Sequence, residues 1–350
     1  MSPMPSTPFG PPFDHDDADI ILRSSDRVDF HVYRAILSIS SPFFKSMFSL
    51  PQPNTSSAPE RKNPVVDLPE NSRTIATILT FIYPVVYAAP EPESLDDMMD
   101  AFVAAKKYEM VIVSQCLSET FAESKCVRDD PIAAFCAAYS RELGEACRIA
   151  AKASLKCRMN LNNIADKLQY LNGPAFYQLY KFHRACSTSA AQAVSDTDLS
   201  WLTVTVSKTV SLSTSGWWDL ANSARRCKCL THDYTLGSSP RSLTNYLDEV
   251  ITLHHCTWKA STSYHDFITR THDVLLEHPC LEAVTSYQFL APSYQTKECD
   301  YCRLTLLGLP EFSRLLGKEI ERRVSEVRHE SHDSFHLPNA LLNDLYRRLN

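Results

Sequence analysis

The sequence predicts an α+β fold: a small sheet with clustered helices, followed by a mostly α-helical extension and C-terminal domain. Three observations lead there. Two short apolar runs, Asp19-Ile20-Ile21-Leu22-Arg23 and Val28-Asp29-Phe30-His31-Val32, flank the polar turn Ser24-Ser25-Asp26-Arg27. The second run alternates, with Val28, Phe30 and Val32 on one face, so the pair reads as a hairpin. From Ser72 onward, apolar residues recur at helical spacing in one segment after another.

Each element follows in order. Residues 1–16 are rich in Pro, Ser and Asp without a period, and read as a disordered tail. After the hairpin, Ala35, Ile36, Leu37 and Ile39 make a short apolar helix. Ser41-Pro42 starts the next, because Ser accepts from orphan N–H groups and Pro suits a first helical turn. Val65-Val66-Asp67-Leu68 reads as a third strand. Ile75, Ile78, Leu79 and Ile82 stripe a helix ended by Pro84, and Ser94 caps another carrying Leu95, Met98, Phe102 and Ala105. Ile112, Cys116, Leu117 and Phe121 mark one more. Asp130-Pro131 opens a helix with Ile132, Phe135, Cys136 and Tyr139; an Ala-rich helix over 145–155 and one from Pro174 follow. A polar stretch then reads as a linker. Leu202, Val204, Val206, Val210 and Leu212 alternate as a strand or hairpin, and helices return over Leu243–His254 and residues 311–327.

The domains expected are a disordered tail over 1–16, a mixed domain over 17–125, a helical extension over 126–190, a linker over 191–200 and a mostly helical, cysteine-containing domain over 201–350.

Composition narrows the chemistry. The net charge of −6 and pI of about 6.1 lack the basic footprint of a nucleic-acid binder. The first residues carry no basic and apolar signal sequence, and the most apolar window, broken by Pro84, is too short to span a bilayer. A cytoplasmic or nuclear protein is expected, with its 12 cysteines reduced or holding metal. No two of the seven glycines stand in G-x-G spacing, so no phosphate-binding loop is present, and there is no G-x-S-x-G elbow.

One constellation has metal-ligand spacing. Cys227, Cys229 and His232 lie in what reads as a loop, and Cys299-Asp300-Tyr301-Cys302 is a C-x₂-C knuckle further on. Two short-spaced pairs can converge on one tetrahedral zinc, each supplying two ligands from a tight turn. The competing reading is reduced cysteines packed as small hydrophobes.

The run from Asp19 through Phe48 resembles the opening of the BTB/POZ domain. Its signature, basic-x-x-Leu-x-x-x-Ser-x-x-Phe, stands here as Arg34, Leu37, Ser41 and Phe44, and Val65–Leu68 and Tyr83-Pro84 follow in the same order. Tyr83-Pro84-Val85 is similar to the basidiomycete fungal members. The resemblance covers residues 17–125. It implies a non-enzymatic protein that dimerises or recruits protein partners, with Phe30, Ile36, Leu37 and Phe44 in the core or near an interface. A cullin-type ubiquitin-ligase scaffold is the alternative partner it implies. Two departures stand out: Tyr33-Arg34 where many such domains have His-Lys, and no acid in Ser49-Leu50-Pro51-Gln52-Pro53, where cullin-binding members carry one.

Overall fold

The computed structural model describes residues 6–50, 63–83, 94–159, 173–195, 198–203, 206–207, 230–237, 250–251, 256–295 and 306–331. The chain divides into two compact units, Met1–Ala153 with Gln169–Ala175 and Ser154–Leu168 with Phe176–Asn350.

The first unit holds a four-stranded sheet of β1 (Thr7–Pro8), β2 (Ile20–Arg23), β3 (Val28–Val32) and β4 (Val65–Asp67), in the order β1-β3-β2-β4. The predicted hairpin is β2 and β3, antiparallel with Leu22 opposite Phe30. β4 joins β2 and β1 joins β3, both in parallel. The reading of 1–16 as a disordered tail is therefore corrected for residues 6–16. The Thr7 and Phe9 N–H groups donate to the carbonyls of Arg27 and Asp29, each at 3.0 Å, and Phe13 is 1% exposed. Pro, Ser and Asp lower the mean hydropathy of this stretch, but two phenylalanines beside an open strand edge are enough to dock it.

The helices of this unit pack on one another: α1 (Arg34–Ser40), α2 (Pro42–Ser49), α3 (Ser72–Ile82), α4 (Leu95–Lys107) and α5 (Val111–Glu123). Their starts follow capping chemistry. Ser41, Asn71 and Ser94 accept from the N–H groups of Phe44, Thr74 and Asp97 at 3.1, 2.8 and 3.1 Å. The start of α1 is capped from elsewhere: Asp19 accepts from the Arg34 N–H at 2.7 Å, which gives the Asp that leads the first strand a physical role.

Helix ends show what scarce glycine does. After α4, Glu109 N–H donates to the Lys106 carbonyl and Met110 N–H to that of Ala105, with Glu109 at φ 54°. This ending of two backbone hydrogen bonds normally takes glycine at the left-handed position. The same pattern recurs with Glu142, at φ 57°, and Leu143 after the helix Pro131–Ser140. Met110 and Leu143 are both buried, so an apolar contact holds each strained glutamate in place.

Three more helices, α6 (Lys125–Asp129), α7 (Pro131–Ser140) and α8 (Gly144–Ser154), fall in this same unit. α4 packs against α7, Arg141 pairs with Asp96 at 2.8 Å, and Lys106 donates to the Glu142 carbonyl at 3.0 Å. Cys136 and Cys147 are buried here, and burial pushes both thiols up to about 12, so they stay protonated as packing groups.

The second unit is entered through α9 (Gly173–Ala191). Its main sheet contains β5 (Asp198–Thr203), β7 (Leu230–Gly237) and β9 (Cys256–Ser261), ordered β5-β7-β9, with β5 parallel and β9 antiparallel to β7. A second pair joins β6 (Val206–Ser207) to β8 (Val250–Ile251). Helices α10 (Thr262–Glu277), α11 (Leu281–Thr285), α12 (Tyr287–Leu290) and α13 (Leu309–Ser331) complete it. The core gathers Leu199, Leu202, Tyr234, Phe267, Phe312 and Ile320.

Three sequence expectations change in this unit. The linker over 191–200 is instead core and strand: Ala191, Ala193 and Val194 are buried, and the Trp201 indole donates to the Ala193 carbonyl at 2.6 Å. Small apolar side chains among Gln and Ser average to a polar stretch, yet they point inward. Of the helix expected over Leu243–His254, Val250–Ile251 form a strand, because Val206–Ser207 pairs with them, and the rest lies outside the described residues. The loop expected over Cys227–His232 is strand from Leu230, paired with Ser261 and, at His232, with Ala260. α13 covers the helix expected over 311–327.

Candidate interaction surface

The first unit builds its surface on α1. Phe30, Leu37 and Phe44 are all 0% exposed and form the core beneath it, whereas Ile36 is half-buried. Ile39 is different: it is 87% exposed. Two residues on from Leu37, it lies about 200° around a helix, so it faces away when Leu37 faces in. Ala35, one turn before Ile39, is exposed as well. The helical period already separated these two faces; the count of apolar residues in α1 concealed them.

The neighbouring α2 is fixed by its cap. Ser41 Oγ donates to the Tyr108 carbonyl at 2.5 Å, and the Phe43 ring lies 5.3 Å from that of Tyr108 while staying partly exposed. Burial, joined by a hydrogen bond to Glu70, raises the Tyr108 phenol well above its ordinary value, so it remains a donor to Glu70. Beyond this junction, α5 begins with Val111 and Ile112, 66% and 62% exposed. The first unit thus presents aliphatic side chains at the outer face of α1 and the start of α5.

The base of α1 is held from below. Tyr33 N–H donates to the Tyr83 hydroxyl at 2.9 Å, and Tyr33 Oη donates to Asp17 at 2.6 Å. Burial pushes the Tyr83 phenol up to about 12. The departure at Tyr33-Arg34 is accommodated: the Arg34 guanidinium lies 5.3 Å from the Phe48 ring centre.

Of the proposed metal ligands, Cys227, Cys229, Cys299 and Cys302 lie outside the described residues. His232 lies on β7, its ring stacked on that of His265 at 3.7 Å, and His265 in turn meets the Tyr234 hydroxyl at 2.7 Å. Among the described residues, no three His, Cys, Asp or Glu gather as a metal set. No helix among the described residues is long and apolar enough to cross a membrane.

A family model described as BTB/POZ domain matches residues 9–125. Its start takes in Phe9 and Phe13, ahead of the boundary at 17 read from the sequence. A search of curated proteins finds no match. The hairpin, the helix pair opened by Ser41-Pro42 and the family match agree: this chain carries a BTB/POZ domain, a protein-interaction module, over residues 9–125.

Proposed function

We propose that the chain is a non-enzymatic recruitment protein that pairs with a second copy through the outer face of α1. The observation that carries this reading is Ile39, 87% exposed on a helix whose Leu37 is fully buried. A two-fold pairing would set Ala35 and Ile39 against the same residues of the partner copy and remove both stripes from water. Light scattering on the full chain tests it. The expected mass is twice the 39.5 kDa of one chain, returning to a single chain in Ile39→Arg. A native chain that stays single across micromolar concentrations rejects the pairing.

A cullin-type scaffold is the second reading, supported by the exposed Val111 and Ile112 as a surface for another chain. Co-purification with a cullin, lost in Val111→Asp while the dimer persists, would separate it from the first. A zinc-stapled second unit is a reading of another class, supported by the spacing of Cys227, Cys229, His232, Cys299 and Cys302. One zinc per chain, lost in Cys299→Ser, supports it; a metal-free chain removes it.

A further inference from the structure

The N-terminal segment sits on the first unit in the manner of a bound peptide. β1 runs parallel to β3, so no tight turn joins them, and its place depends on its own contacts. Those contacts are numerous for so short a segment. Thr7 and Phe9 donate to the carbonyls of Arg27 and Asp29, the His31 N–H donates to the Phe13 carbonyl at 2.8 Å, and Asp14 bridges to His31 in parallel. Phe9 stacks on Phe30 at 4.6 Å, and Phe13 meets the edge of Tyr83 at 5.2 Å. Ser6 Oγ donates to Asp29 at 2.7 Å and accepts from Arg23 at 3.1 Å. Arg23 and Asp29 are themselves locked together at 2.6 Å, so the hydroxyl enters a preformed, mostly buried ion pair.

We infer that the β3 edge, with the pocket walled by Phe30 and Tyr83, is a docking groove for extended peptides, which the chain's own N-terminus fills in cis. The groove reads three features: a hydroxyl residue at the Ser6 position, Phe three residues on and Phe seven residues on. Pro8 fits this mode, because an added edge strand can spare an N–H that faces water. The partner is therefore a protein segment of hydroxyl-x-x-Phe-x-x-x-Phe pattern in extended conformation. Its own segment is present at high effective concentration, so an outside partner binds once that segment is released or outcompeted. The groove lies within one chain, and the inference stands whether or not α1 pairs two copies.

The test keeps the full chain. A protease site inserted between His15 and Asp16 is cut after folding, and an excess of isotope-labelled peptide of residues 6–15 is added. Native mass spectrometry then reads exchange of the cut segment for the labelled one. The expected result is stoichiometric incorporation of the native peptide and at least about a hundredfold weaker uptake of a Phe13→Ala peptide. The uncut chain should take up at least about tenfold less than the cut chain. No incorporation, equal uptake of the Phe13→Ala peptide, or unfolding of the chain on cutting overturns the inference.

Discussion

The two units differ in what they leave in water. Among the described residues, the large apolar side chains exposed on the first unit are Phe9, Ile39, Phe43, Leu50, Val103, Val111 and Ile112. Those on the second are Tyr177, Tyr180, Tyr287 and Tyr294. A tyrosine hydroxyl keeps one end of the ring hydrated, so its exposure costs little; an isoleucine has no such end. The contrast teaches that outward apolar residues need not be equivalent. The BTB/POZ unit presents a surface that gains from being covered, and the second unit presents one that is content in solvent.

The largest expected effect falls on the first unit. Phe13→Ala removes a buried ring from between Phe30 and Tyr83 and is expected to cost about 4 kcal/mol. Hydrogen exchange should show faster opening at Leu22 and Phe30 and unchanged protection at Phe267. Equal loss in both units would break the comparison.

Acid should act on the second unit instead. His183 is 2% exposed, meets the Cys157 carbonyl at 3.3 Å, and burial pushes its imidazole down to about 4 from 6.5. Above the higher value both folded and unfolded rings are neutral. As pH falls from there toward 4, the unfolded chain takes a proton that the folded one refuses, and stability drops by about 3 kcal/mol. His183→Gln should flatten this part of the slope in urea unfolding, and an unchanged slope would assign the acid loss elsewhere.

Smaller effects sharpen the same contrast. At Gly317 on α13, an added Cβ would lie 1.8 Å from Leu281 Cδ1 of α11, the tip of a half-buried side chain that can turn aside, so Gly317→Ala is expected to change stability by under about 1 kcal/mol, the repacking offsetting the helix-propensity gain. Glu109→Gly relieves a left-handed residue and is expected to add about 1 kcal/mol to the first unit. Ile39→Arg should move thermal stability of the single chain by under about 0.5 kcal/mol, while abolishing the proposed pairing. Thermal unfolding checks all three, and a large loss in Ile39→Arg would make that residue core.

The first unit was legible because its signals are local. Ser41-Pro42 and Asp130-Pro131 start helices through their own side chains, and Leu22 and Phe30 alternate into one core whatever lies across from them. The second unit was misread where partners are distant. Val250–Ile251 became strand because Val206–Ser207 came alongside, and Ala191, Ala193 and Val194 became core because β5 and α10 close over them.

By itself, then, the sequence determined the α+β class, the hairpin, the capped helices and the BTB/POZ resemblance, since backbone capping and hydrophobic period act between near neighbours. Only the tertiary structure decided that residues 6–16 dock on β3, that Leu37 is core while Ile39 is surface, and that α6 to α8 fold with the first unit. The physical reason is that burial belongs to pairs of surfaces: a side chain's period says which way it points, and only the element brought opposite decides whether water remains there.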